Sequence, residues 1–186
     1  MSLTPSNMLE LATMAPNFEL PDAVSGNVIS LTEESFGKRG TLIMFICNHC
    51  PYVKHVQPEL LRIAHDYLPK DIAILTISSN DVENYPEDNP ALMAAEAKKW
   101  NYPFPYLYDE TQLVAKAYKA ACTPDYFLFD KNLLLVYRGE LDGSRPGNNI
   151  ELNGASLREA LNNLLAGIPI KEDQNPSVGC NIKWKH

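Results

Sequence analysis

Apolar and polar positions fall into distinct blocks along this chain. Thr41 to Cys47 (TLIMFIC) is an unbroken apolar run, and Ile72 to Ser78 is a second. Such runs form strands buried on both faces of a parallel sheet. Between them Val53, Val56, Leu60, Ile63, Ala64 and Tyr67 recur at spacings of three and four, which predicts a helix with one buried face. Pro51 suits the first helical position, where no N–H is needed, and Pro58 lies inside the pattern and predicts a kink. Strand, helix and strand in this order make a crossover unit of an α/β sheet.

The rest of the chain reads as shorter pieces. Phe18 to Leu20 and Val28 to Leu31 are expected strands around a turn at Asp22 to Asn27, and Gly37 to Gly40 is a polar turn. Asn80 to Pro90 is a polar loop. Ala91 to Trp100 and Thr111 to Ala121 are expected helices, separated by a strand at Phe104 to Tyr108. Tyr126 to Phe129 and Leu133 to Arg138 predict an antiparallel hairpin, and Ser156 to Leu165 a last helix that Gly167 caps. Residues 1–15 read as an N-terminal arm and 168–186 as a C-terminal tail without clear period. With no repeat and no linker, residues 1–186 are expected to form a single domain.

Composition narrows the functional classes. In 186 residues, 45% hydrophobic and 21% charged side chains match ordinary globular usage. The net charge of −7, with no run of Lys and Arg, argues against nucleic acid and against anionic membrane surfaces. The N-terminus lacks the basic start and apolar stretch of a secretion signal, and no apolar run is long enough to span a bilayer. A soluble, cytoplasmic protein is the expectation. Four cysteines are too few for a secreted disulfide scaffold, so a Cys-x-x-Cys pair here is redox-active or metal-binding rather than structural.

That pair is Cys47 and Cys50, at the joint between the first apolar strand and the helix. Cys50 stands where the helix begins, and the unpaired N–H groups and dipole there stabilise a thiolate, the nucleophilic form. The plainer reading is a half-buried inert thiol. Cys47, His49 and Cys50 are also metal-ligand types, but a structural zinc needs a second ligand pair at similar spacing, and none is near. Neither metal nor cofactor is therefore expected. Cys122 reads as a buried small hydrophobe, and Tyr52, Tyr106 and Tyr108 as core or groove lining.

APNFELPD at residues 15–22, the strand–Cys–helix element, and TPDYFLFD at residues 123–130 together resemble the thioredoxin superfamily. Within it they resemble the redoxin branch of alkyl hydroperoxide reductases and thiol-specific antioxidants, and most closely a peroxiredoxin-like group. The resemblance implies a thioredoxin-like α/β fold, a central mixed β-sheet flanked by helices, with a redoxin-type N-terminal hairpin. It implies a cis peptide at Pro124 facing Cys50, with the backbone of Thr123 and Pro124 binding an extended substrate by strand addition. Aligned on Phe45 and Pro58, Cys50 takes the place of the nucleophilic cysteine of thioredoxins. Val53 takes that of their resolving cysteine, and Met44 that of their buried acid. The peroxiredoxin pattern Pro-x-x-x-Thr-x-x-Cys is absent, with Cys50 at the threonine position and Pro124 at that of the activating arginine. Cys180, in PSVGCNIKWK, lies in a tail that similar proteins share. It is either a resolving thiol reaching back to Cys50 or part of a docked tail with Ile182 and Trp184.

The leading expectation is a thiol–disulfide oxidoreductase acting through Cys50, resolved by Cys47 or Cys180. The alternatives are a thiol peroxidase reducing hydroperoxides and a redox-inert peptide-binding module. Expected partners are protein or small-molecule disulfides or hydroperoxides and a thiol reductant, with a homodimer left open.

Overall fold

The apolar run at residues 41–47 becomes the middle of the main sheet because both of its faces have cover. In the computed structural model, which describes residues 3–35 and 38–185, this strand spans Gly40–Phe45. Residues 1, 2, 36, 37 and 186, including the ends of the expected arm and tail and Gly37 of the expected turn, lie outside the described residues. In chain order the strands are β1 (Leu3–Pro5), β2 (Glu19–Pro21), β3 (Val28–Ser30), β4 (Gly40–Phe45), β5 (Ile72–Ser78), β6 (Tyr106–Tyr108), β7 (Cys122–Thr123), β8 (Asp125–Asp130), β9 (Leu135–Tyr137) and β10 (Val178–Asn181). The helices are α1 (Leu31–Ser35), α2 (Pro51–Tyr67), α3 (Pro90–Trp100), α4 (Leu113–Ala117) and α5 (Ala155–Ala166).

The main sheet has the order β6-β5-β4-β8-β9, with β4, β5 and β6 parallel and β8 and β9 antiparallel. Parallel pairing of β4 with β5 requires a crossover, and α2 supplies it. Side chains of β4 alternate between two cores. Leu42 and Met44 pack with Val53, Leu60 and Ile63 of α2 and Leu157 and Leu161 of α5. Ile43 and Phe45 pack with Phe18, Tyr118, Phe127 and Phe129 on the opposite face. Each such buried Leu, Ile or Phe contributes roughly 1.5–3 kcal/mol of transfer free energy. The apolar face of α2 is the one its spacing predicts, and the helix runs through Pro58 without a break. Pro58 is exposed, so water can serve the carbonyl whose partner N–H it removes.

Local chemistry shortens or redirects several expected elements. The helix expected at 111–121 is only Leu113–Ala117, because Gln112 (φ 62°) and Lys119 (φ 52°) take the left-handed conformation at its two ends. The strand expected to reach Leu31 stops at Ser30, whose hydroxyl accepts from the Glu33 N–H and starts α1 instead. β2 and β3 form the expected N-terminal hairpin. The arm is docked rather than loose: Ala12 and Ala15 N–H groups donate to Leu135 and Leu133, and Leu9 is buried. The tail, which shows no period in sequence, supplies β10. That strand lies antiparallel between β1 and β7 in a separate three-stranded sheet. No helix among the described residues is long and apolar enough to cross a membrane.

Candidate active site

Cys50 follows the C-terminal end of the central strand β4 and is the N-cap of α2, with extended backbone (φ −67°, ψ 124°) and Pro51 in the first turn. Its sulfur is fully buried. Two groups from distant parts of the chain and one from three residues upstream meet it. The Thr123 carbonyl oxygen lies 3.2 Å away, and the Cys180 sulfur 2.6 Å away. Cys47 donates from the strand side. All four cysteines carry thiols, not disulfides.

These neighbours divide one charge among three sulfurs. The hydrogen bond from Cys47 is the largest influence lowering the Cys50 pKa, to about 5. Burial opposes it, while Cys180 and the Val53 N–H in the first helical turn reinforce it. Cys47 moves the other way, well above the usual thiol range, chiefly because its proton is held by Cys50 and then because it is buried. Burial, followed by the proximity of Cys50, pushes Cys180 up to about 12. Of the three sulfurs Cys50 is thus the one that ionises most readily, with Cys47 and Cys180 shifted the other way.

The loop carrying these groups is fixed by an acid from the polar loop at 80–90. Asp88 is fully buried. It accepts from the backbone N–H groups of Asn48 (2.7 Å) and His49 (3.3 Å) and from the Asn80 amide (2.8 Å). The oxygen that accepts from Asn80 also pairs with His49 Nδ1 at 2.5 Å, and the imidazole stacks on Tyr85 with ring centroids 5.5 Å apart. The bond to Asp88 raises the His49 pKa. Burial works against the Asp88 charge, yet His49 and Asn80 hold its pKa below the usual value. Donor atoms of Cys47, His49 and Asp88 lie within 4.8 Å of one another. The His49 and Asp88 atoms are closer than the roughly 3.3 Å that two ligands about 2 Å from one tetrahedral zinc would keep. They are instead bonded to each other, so the cluster is a hydrogen-bond network. Asp88 carries no sequence signal, since 39 residues separate it from its imidazole partner.

The Thr123–Pro124 peptide is cis and its turn faces Cys50. Thr123 Oγ1 also shares a 3.4 Å hydrogen bond with Cys47. The Thr123 edge, expected to be open to a substrate strand, is occupied: Cys180 of β10 pairs with Thr123, and Asn181 with Cys122. Cys180 is thus both beside Cys50 and part of a docked tail in which Ile182 is buried. Cys122 is fully buried, and burial raises its pKa. Tyr106 and Tyr108 are core residues, with the Tyr106 hydroxyl donating to Asn48. Met44 is buried among apolar neighbours. The buried acid nearest the cis peptide is Asp125, pushed up to about 7 by burial.

A cysteine capping the helix after a central strand, opposite a cis-proline turn, defines a thioredoxin-like protein with a thiol redox role. The profile of the AhpC/TSA family matches residues 11–138, and the chain belongs to that family. An uncharacterized conserved protein from Geobacillus kaustophilus is 56% identical, with a TM-score of 0.97 over 100% of this chain and 97% of that one. A hypothetical protein from Sinorhizobium meliloti is 45% identical, with a TM-score of 0.95 over 98% of each chain. The thioredoxin domain of a thiol-disulfide oxidoreductase from Bacteroides vulgatus shares the fold, at 19% identity and a TM-score of 0.58 over 82% of this chain and 99% of that one. A search of curated proteins finds no match.

Proposed function

We propose that this protein is a thiol–disulfide oxidoreductase in which Cys50 is the nucleophile and Cys180 the resolving thiol. The observation that carries the reading is the 2.6 Å approach of the Cys180 sulfur to the buried, acidified Cys50. The Cys50 thiolate attacks one sulfur of a substrate disulfide, and the other sulfur leaves as a thiolate and takes a proton from solvent. Cys180 then gives up its proton and attacks Cys50, which releases the second substrate thiol. The substrate disulfide is reduced to two thiols, and Cys50 and Cys180 are oxidised to a disulfide. A small dithiol or a protein thiol partner restores them, and a reducing cytoplasm would supply one. Cys47 keeps its proton and tunes Cys50 rather than resolving it.

Peroxide reduction fits the surroundings of Cys50 less well. The groups that meet its sulfur are Cys47, Cys180, the Thr123 carbonyl and backbone N–H groups. Arg145, which lines the same small hollow as Pro124, is paired with Glu140. Among the described residues no arginine or lysine is hydrogen-bonded to this sulfur, so peroxide would lack such a donor for its leaving oxygen. The two activities separate in parallel assays of insulin disulfide reduction with dithiothreitol and of hydrogen peroxide consumption. Disulfide turnover that Cys50→Ser abolishes, with peroxide consumption close to that of a simple thiol, is the expected result. Rapid peroxide consumption without disulfide turnover would reverse the assignment.

A further inference from the structure

The tail strand closes the site with more specificity than a cover requires. Gly179, one residue before Cys180, packs against the cis-proline turn so closely that a Cβ there would lie 2.0 Å from the Thr123 carbonyl oxygen and 2.7 Å from its carbon. No positive φ calls for glycine at this position; the requirement is space for the backbone itself. Cys180 then falls opposite Thr123 in antiparallel register, with its sulfur on Cys50. An extended chain, a cysteine at the register of Thr123 and an unsubstituted residue before it are what a substrate strand would need at this edge.

We propose that β10 is an internal stand-in for the substrate, and that the protein acts on extended peptide disulfides whose cysteine directly follows glycine. The proposal rests on the thiol-exchange reading above and adds the substrate class to it. With both sulfurs buried, and only about 10 Å³ of hollow beside Pro124, a peptide reaches Cys50 by taking the place of the tail. The tail is built to leave and return as a unit. Beyond the cysteine it is held by one buried side chain, Ile182, and otherwise by polar groups: Asn80 and Asp81 pair with the Lys183 backbone, and the Gln112 side chain with the backbones of Lys183 and Lys185. On its other side it pairs with β1, an edge strand of the three-stranded sheet. After the mixed disulfide forms, re-docking of β10 brings Cys180 back onto Cys50. The attack that breaks the Cys50–substrate bond then also refills the strand position and expels the product thiol.

The test uses the native, reduced protein and two synthetic disulfides. They are identical except that the reactive cysteine follows glycine in one and alanine in the other, and each carries a chromophoric leaving thiol. Cys50 should react with the Gly-Cys peptide at least about tenfold faster. A second measurement follows alkylation of Cys50 by iodoacetamide in native protein and Gly179→Ala. The added methyl should dislodge the tail and speed alkylation by at least about tenfold, with the far-ultraviolet circular dichroism retained. Equal rates for the two peptides would overturn the substrate class while leaving thiol exchange at Cys50 intact. Absence of any adduct at Cys50 with either peptide, in native protein and in Gly179→Ala, would overturn both.

Discussion

Two regions bring a thiol to the same sulfur, and they do different work. The loop after β4 carries Cys47 three residues before Cys50, inside a network that holds every polar group in place. Asp88 ties down two backbone N–H groups, Thr123 holds the Cys47 thiol, and the His49 imidazole is locked between Asp88 and Tyr85. The tail carries Cys180 on a short strand held by backbone pairing, a few side-chain amides and the buried Ile182. A rigid donor stabilises a charge without moving, which suits tuning. A strand that can detach and re-dock suits a group that must exchange places with a substrate. The contrast assigns ionisation of Cys50 to the loop and turnover to the tail.

The largest expected effect comes from the tail. Cys180→Ser removes an attacking thiol already beside the mixed disulfide, which converts an intramolecular step into an intermolecular one. Mixed disulfides at Cys50 should then persist at least about 100-fold longer, measured by mass spectrometry of quenched samples. The first bond-forming step should keep its pH dependence. An unchanged lifetime would give the resolving role to Cys47.

The loop should give a smaller effect of a different kind. Cys47→Ala removes the main hydrogen bond to the Cys50 thiolate, so the midpoint of Cys50 alkylation should rise from about 5 by roughly one to two pH units. At pH 6 the rate should fall by about two- to tenfold, with little loss at pH 9, where the thiolate forms in either protein. Stability follows the same sign. A depressed pKa stabilises the fold fully above the unfolded thiol value of about 8.5, and this contribution is lost as pH falls through about 5. Cys47→Ala should therefore lose stability at neutral pH more than at pH 4. A midpoint that stays near 5 would place the tuning elsewhere.

The same contrast separates what the sequence makes legible from what it does not. The apolar run of β4, the buried face of α2 and the place of Cys50 at the start of that helix follow from local spacing and capping chemistry. The turn of Pro124 toward Cys50 follows from the resemblance carried by TPDYFLFD. The tail strand is too short to show a period. Its reason for containing Gly179 appears only when the cis-proline backbone is set against it. Asp88 looks like one more acid in a polar loop until the chain folds it under Asn48 and His49. The choice between Cys47 and Cys180 is a question of long-range approach, across the 130 residues that separate Cys50 from Cys180.

One measurement reaches the division of labour directly. Native reduced protein is treated with one equivalent of a small-molecule disulfide, quenched and blocked with N-ethylmaleimide in denaturant near pH 6.5, digested and mapped by mass spectrometry. The account predicts a disulfide joining Cys50 to Cys180, with Cys47 and Cys122 recovered as thiols. A disulfide joining Cys47 to Cys50, or an adduct left standing on Cys50 while Cys180 remains reduced, would contradict it.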